Sequence, residues 1–517
     1  AGNTYSSFLL YVVDQDSPVI IKDIVVTDDI GSTGGSTGDS NNLYPVSDIF
    51  AFTFDGENIT ITGCSNFCPN ELSIPDAISG YPVKHIGYQA FRFKPLTSVT
   101  IPDSVASIGD YAFDTNQLTS VTIPNSVTSI GRWAFNNNQL TSFTIPDSLT
   151  IIRDGTFSNN QLTSVIIPDS VASIGDYAFD TNQLTSVTIP NSVTSIGNKA
   201  FSSNKLTSVT IPNSVTRIDN EAFLRNQLTA IVIPDSVTAL GYSVFRENPL
   251  SNLVLGGGLT SIGMSQFSGL GLTSLTIPDS VTYIGSRAFS SNKLTSITIP
   301  AGISEISDRA FRDNRLTNVI IQDGVTTIGN NAFQNNRLAS IVIPSSVTSI
   351  GQYSFESNKL TDITIPASVT GIGNNAFQNN RLTNLTLGES TESIGNYAFR
   401  FNRLTSVRVP DSVTFIGSYA FDNNPLSSLI VGNSFPEIGT SVVFPGQSLS
   451  IVLLANGGNF ESIVNTQPYS FGDFGYPASI VYCSDIDTDG DTLINCIDDD
   501  DDGDGVKDND DAFPLTL

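Results

Sequence analysis

Histidine, tryptophan and methionine each occur once in 517 residues, as His85, Trp133 and Met264. One imidazole leaves little from which to build a general base or a histidine-bound metal at neutral pH. Charged residues make up 14% of the chain, and 23 Lys and Arg face 50 Asp and Glu, a formal net charge of −27. That balance argues against nucleic acid as a partner. No run of 18 apolar residues occurs, so no transmembrane segment is expected. The chain also lacks a G-x-S-x-G elbow, a P-loop and H-E-x-x-H. No acidic pair of the glycosidase kind stands out from the surface Asp. These absences point away from an enzyme. No signal peptide is visible, and the opening AGNTYSS fits a mature end left after cleavage.

Cysteine is scarce too. Four residues fall in two close groups, Cys64 with Cys68 and Cys483 with Cys496. Two local disulfides fit an oxidising compartment. A four-ligand zinc site would need the two groups to meet across everything that separates them.

What the chain has in abundance is self-similarity. Leu recurs every 22 residues from Leu96 to Leu426, and Phe keeps the same beat from Phe91 to Phe421. One unit reads LTSVTIPNSVTSIGRWAFNNNQ (118–139). Leu118, Val121 and Ile123 are apolar, and the last two alternate with Ser120 and Thr122, the pattern of a half-buried strand. Pro124 blocks further ladder bonding and turns the chain. Val127 and Ile130 form a second inward stretch, Gly131 is expected to permit a turn, and Ala134 and Phe135 close the coil. A unit with so few apolar positions cannot make a core alone, but stacked units make a continuous one. The expectation is a repeat solenoid of about sixteen 22-residue coils with a cap at each end. Its strands would stack roughly 4.8 Å apart.

The consensus LTSVTIPxSVTxIGxxAFxxNx resembles the BspA-type leucine-rich repeat of bacterial and protozoan surface proteins, over about residues 43–447. The segment 52–91, FTFDGENITITG…SIPDAISGYPVKHIGYQAF, is similar to the usual lead-in to such arrays. The resemblance implies a leucine-rich-repeat, β-rich right-handed coil. It also implies an extracellular or cell-surface location and an adhesive or binding role.

The chain is expected to divide into an N-terminal β-hairpin segment (1–30), a Gly/Ser/Thr linker (31–42), an N-terminal cap (43–95), leucine-rich repeats (96–447), a C-terminal cap (448–482) and an Asp-rich tail (483–517). Two strands alone are marginal in water. The hairpin therefore needs a partner, either on its own solenoid or on a neighbouring subunit. After Gln447 the beat fails, and LSIVLL (449–454) reads as a closing strand. The unit 250–271 departs from pattern, with Gly256, Gly257 and Gly258 and with Leu270 in place of Asn, so an irregular coil is expected there.

Residues 485–517 hold thirteen Asp against one Lys. Asp487, Asp489, Asp491, Asn495 and Asp498 fall at loop positions 1, 3, 5, 9 and 12, with the Leu493 carbonyl at position 7. Asp500, Asp502, Asp504, Asp508 and Asp511 repeat the spacing, with Val506 supplying the carbonyl and Gly505 at the turn. So many carboxylates would repel strongly without a cation, and the oxygen set suits calcium. The segment resembles the thrombospondin type 3 repeat. Thr492 stands where Gly is usual, and both loops end in Asp rather than Glu.

Three columns invite a functional reading. The Asn column (Asn116, Asn138, Asn160, Asn182, Asn204 and onward) could hold sugar, but inward amides that satisfy buried backbone are the stronger expectation. The next position is Gln at 117, 139, 161 and 183, then basic at Lys293, Arg315, Arg337, Lys359, Arg381 and Arg403. That stripe is either a row of solvated side chains or a track for an anionic polymer or another molecule's Asp-rich tail. Thr and Ser dominate the exposed strand positions, a pattern shared with ice-binding solenoids, although Ile166, Val232, Val254, Ile320 and Arg408 break the column. His85, within YPVKHIG, reads as structural.

The sequence therefore predicts a secreted or cell-surface binding or adhesion protein, non-enzymatic, with calcium rigidifying or docking its tail. Its partner would be a protein or glycan at a cell surface or matrix, or a second copy. The alternatives are a subunit of an extracellular filament or surface layer, linked through the hairpin or tail, and an ice-binding solenoid.

Overall fold

The computed structural model describes residues 49–431 except residue 66, together with the strands Glu437–Ile438, Ser450–Ala455 and Ser479–Ser484. The N-terminal hairpin, the linker and the calcium loops lie outside the described residues. The chain falls into two compact units, Ala1–Gly258 and Leu259–Leu517. Their boundary lies inside the irregular unit 250–271 singled out above.

In the first unit, most coils contribute a short strand such as Ser164–Ile166, and each contributes a two-residue strand such as Ser173–Ile174. Both pair in parallel with the equivalent strand one coil away: Val165 sits opposite Val187 and Ile174 opposite Ile196. The fold is therefore a parallel β-solenoid with a coil of 22 residues, as the Leu and Phe beat requires. Strand Phe50–Phe54 pairs antiparallel with Ile59–Cys64, which pairs in parallel with Tyr81–Ile86 and so leads into the regular coils. The tight link is fixed by Asp55, whose Oδ1 accepts the N–H groups of Asn58 (2.7 Å) and Glu57 (2.9 Å). Those bonds, Asn58 first, hold its carboxyl below the usual range. Cys64 and Cys68 are joined by a disulfide.

The second unit repeats the architecture. Its two-residue strands form a nine-stranded sheet from Ser261–Ile262 to Glu437–Ile438. Toward its C-terminal end, Ser406–Val409, Ser428–Val431, Ser450–Ala455 and Ser479–Ser484 form a four-stranded parallel sheet. This corrects the reading of 449–454 as a closing strand. Ser450 still pairs with Ser428 at the 22-residue offset, and a further strand pairs beyond it, Ser479 opposite Ser450. That strand reaches Ser484, past the expected cap limit of 482. It carries Cys483, the expected partner of Cys496, which itself lies outside the described residues.

Inside each unit, Phe rings stack coil upon coil. From Phe91 to Phe245, and again from Phe267 to Phe421, consecutive centroids lie 5.3–6.0 Å apart and their planes within 17°. Every one of these rings from Phe91 to Phe421 is fully buried. Beside them runs the Asn ladder. Asn138 Oδ1 accepts Leu118 N–H (3.0 Å), and its Nδ2 donates to the carbonyls of Phe113 (2.9 Å) and Phe135 (3.2 Å). The same geometry recurs in the second unit at Asn336, with Leu316, Phe311 and Phe333. The column is structural, as the stronger expectation held.

Gly131 does not make the turn. It has no left-handed φ; a Cβ there would fall 2.3 Å from Asp110 N and 2.5 Å from Gly109 C on the preceding coil. The glycine is required by close approach of two backbones. The left-handed positions are Trp133 (φ 56°) and Asn137 (φ 54°), and a pair of this kind recurs through both units, mostly at residues other than Gly. Such residues are strained by about 1–2 kcal/mol each. They are held because alternate N–H groups bond forward, as Trp133, Phe135 and Asn137 do to the carbonyls of Asp154, Thr156 and Ser158.

Candidate functional site

The clearest unsatisfied chemistry among the described residues lies in the second unit. Lys293, Arg315, Arg337, Lys359, Arg381 and Arg403 occupy one position per coil, and all six are exposed. Their backbones are pinned, because each N–H donates to the Leu carbonyl one coil back at 2.8–3.0 Å. The Phe rings beneath advance 5.3–5.6 Å per coil over this stretch, which sets the pitch of the charges. None of the six takes part in an ion pair among the described residues. Other cations do: Arg92 with Asp114 and Arg400 with Asp422, both at 2.7 Å and both onto nearly buried carboxylates.

The strand positions beside the stripe carry one acid, Asp362. Hydrogen bonds from Thr361 (2.7 Å) and then Asn384 (2.6 Å) hold its carboxyl below the usual range. Two apolar side chains stand out there, Ile320 at 51% and Val342 at 80% exposed. Val342 was missed by the sequence reading. It sits in the Thr column 22 residues after Ile320, so the register that singled out Ile320 was the available signal for it.

The first unit has two shallow clefts. One, of about 470 Å³, is lined by Val209, Ile211, Val232, Val254 and Gly256. The other, of about 300 Å³, is polar and holds Arg132, Arg153, Asp154, Asp176 and Asp219. Its acids have structural work. Asp176 Oδ1 accepts Asn198 N–H at 2.7 Å, one member of a second inter-coil ladder that reappears as Asp308 with Asn330. The Asp or Asn that follows I-G in many units was the available signal for it.

His85 is likewise engaged, its Nδ1 lying 2.7 Å from Ser107 Oγ on the next coil. Among the described residues no cluster of His, Cys, Asp and Glu could hold a metal ion. The residues named for calcium, Asp487 to Asp511, lie outside the described residues.

Asp180 tests the electrostatics of the array. Its Oδ1 is buried without a hydrogen-bond partner among the described residues, and burial raises its pKa above 3.8. A raised acid stabilises the fold below its unfolded pKa and loses that contribution as pH rises through the folded value. Asp180→Asn should therefore raise the unfolding free energy at neutral pH by about 1 kcal/mol, read from urea denaturation. The difference should vanish below pH 3.8; a constant difference across pH would show that charge is not the cause.

A family profile described as the BspA type leucine rich repeat region matches residues 84–171, 150–270, 260–382 and 326–450. No curated protein matches the chain. Among solved structures, a leucine-rich repeat protein from Bacteroides ovatus is 23% identical, covering 84% of this chain and 98% of its own at a TM-score of 0.40. A leucine rich cell surface protein from Faecalibacterium prausnitzii is 27% identical, covering 68% and 95% at a TM-score of 0.37. The pneumococcal vaccine antigen PcpA is 19% identical, covering 76% and 96% at 0.32. With the 22-residue coil, the Phe and Asn columns and a profile match over most of its length, the chain belongs to the BspA-type leucine-rich-repeat family.

Proposed function

We propose that this chain is a secreted or cell-surface binding protein, with no catalytic role, that engages an anionic protein or glycan through the exposed face of its second unit. Family membership supports the class of function. The observation that carries the site is the row of six exposed cations without ion pairs among the described residues, on a chain of net charge −27. Charges on a protein so acidic overall would otherwise draw in carboxylates, and a pitch of one per coil presents a linear field to a linear ligand. The experiment is an array of sulfated and uronic-acid glycans and matrix proteins, probed with the full chain at low and physiological salt. Binding should weaken with salt and fall at least tenfold in the triple variant Arg315→Glu, Arg337→Glu, Arg381→Glu. Unchanged binding in that variant would remove the stripe from the site.

We also propose calcium as the ligand of the tail, on the doubled Asp spacing. Titration calorimetry on the full chain should show uptake with Kd of about 10⁻⁴–10⁻³ M. The double variant Asp500→Ala, Asp502→Ala should abolish the second-loop share. Full uptake in that variant would reject the assignment.

A further inference from the structure

We propose that the basic stripe is the docking surface for the chain's own Asp-rich segment, residues 485–511, which lies across it in the absence of calcium. The proposal uses the stripe of the binding-face reading but needs no external ligand.

Charge complementarity is the first argument. The six exposed cations have no ion-pair partner among the described residues, and residues 485–511 carry thirteen Asp and one Lys. Apolar complementarity is the second. Exposed Ile320 and Val342 stand in the coils of Arg315 and Arg337, and the acidic segment interleaves Leu493, Ile494, Ile497 and Val506 with its carboxylates.

Reach is the third. The last described strand, Ser479–Ser484, lies three strands from Ser406–Val409, the strand that Arg403 precedes. Three steps of roughly 4.8 Å bring the chain level with Arg403. The stripe then runs five coil steps to Lys293, about 27 Å at the pitch of the rings. Parallel strands place the stripe before their first residues, while the tail leaves after the last, so it must also cross one strand width, roughly 20 Å. Asp498 is fourteen residues beyond Ser484, a reach of about 46 Å when extended. Asp498–Asp504 therefore come within range of the whole stripe. Tethering raises the tail's effective concentration to the millimolar range, which favours its own chain over a second copy. An external anionic ligand would have to displace it.

The test is zero-length carbodiimide coupling on the full chain in chelator at low salt, followed by mass spectrometry of the separated monomer. Lys293 and Lys359 report from the stripe. Amide links from either lysine to an Asp in 485–511 are expected in the monomer, lost at high salt and at least fivefold weaker in the double variant Arg337→Glu, Arg381→Glu. Monomer free of such links, or links confined to covalent dimers, would overturn the proposal. A blank glycan array with these links present would remove the external ligand and leave the docked tail standing.

Discussion

Phe377→Ala is expected to lower the stability of the second unit by about 3–5 kcal/mol. The ring is fully buried and stacks between Phe355 and Phe399, with centroids 5.3 Å away on both sides. Truncation leaves a void that neighbours cannot fill, because the coil pitch is fixed by the ladders on either side. Two stacking contacts are lost as well as the buried area. The measurement is the urea midpoint of the full chain by far-ultraviolet circular dichroism. Hydrogen exchange should localise the weakening to the coils around residue 377, since each coil contacts only its neighbours. Phe377→Leu should cost less than half as much. Equal losses in the two variants would show that the column is not tightly packed there.

Asn380→Leu should also be damaging, by about 1–3 kcal/mol, despite keeping the branched side-chain shape and adding apolar area. Asn380 Oδ1 accepts Leu360 N–H at 3.1 Å, and its Nδ2 donates to the carbonyls of Phe355 (2.9 Å) and Phe377 (3.1 Å). A leucine leaves the buried Leu360 N–H with no partner and no access to water, at about 1–3 kcal/mol, while the Phe355 and Phe377 carbonyls each keep one donor, from Asn358 (3.1 Å) and Asn402 (2.9 Å). Asn380→Asp should fail similarly, because a carboxylate cannot donate to the two carbonyls. If the leucine variant matches the parent in denaturation and exchange, the ladder is not what holds adjacent coils in register.

The solenoid was legible because its determinants are columns. Leu118, Val121, Ile123 and Phe135 repeat at an invariant offset, and only stacking gives such a set a shared interior. The Asn ladder followed by asking what buried backbone requires. Gly131 was misread because a glycine after a strand usually signals positive φ, whereas here it marks two backbones in near contact. The true left-handed residues, such as Trp133, Lys199, Glu221 and Arg309, have no common chemistry. Their conformation is imposed by bonds to the next coil, which a single unit does not show. The strand 449–454 looked terminal because the Leu and Phe beat stops before it, yet its backbone register survives the change of side chains. Of the proposed site, the positions of the six cations were readable. That they stand exposed and without ion pairs among the described residues, with Ile320 and Val342 beside them, needed coordinates.

Coil-to-coil register has an implication for how such a chain changes length. Within the first unit Ser164, Ser186, Val165 and Val187 meet in the same pairs that Ser98, Ser120, Val99 and Val121 make. Excising one complete 22-residue segment would bring together two surfaces already built to join. Unequal recombination between the repeated DNA could then shorten or extend the molecule in whole coils while its interior stayed sealed, giving a population whose members differ in span but share one cross-section.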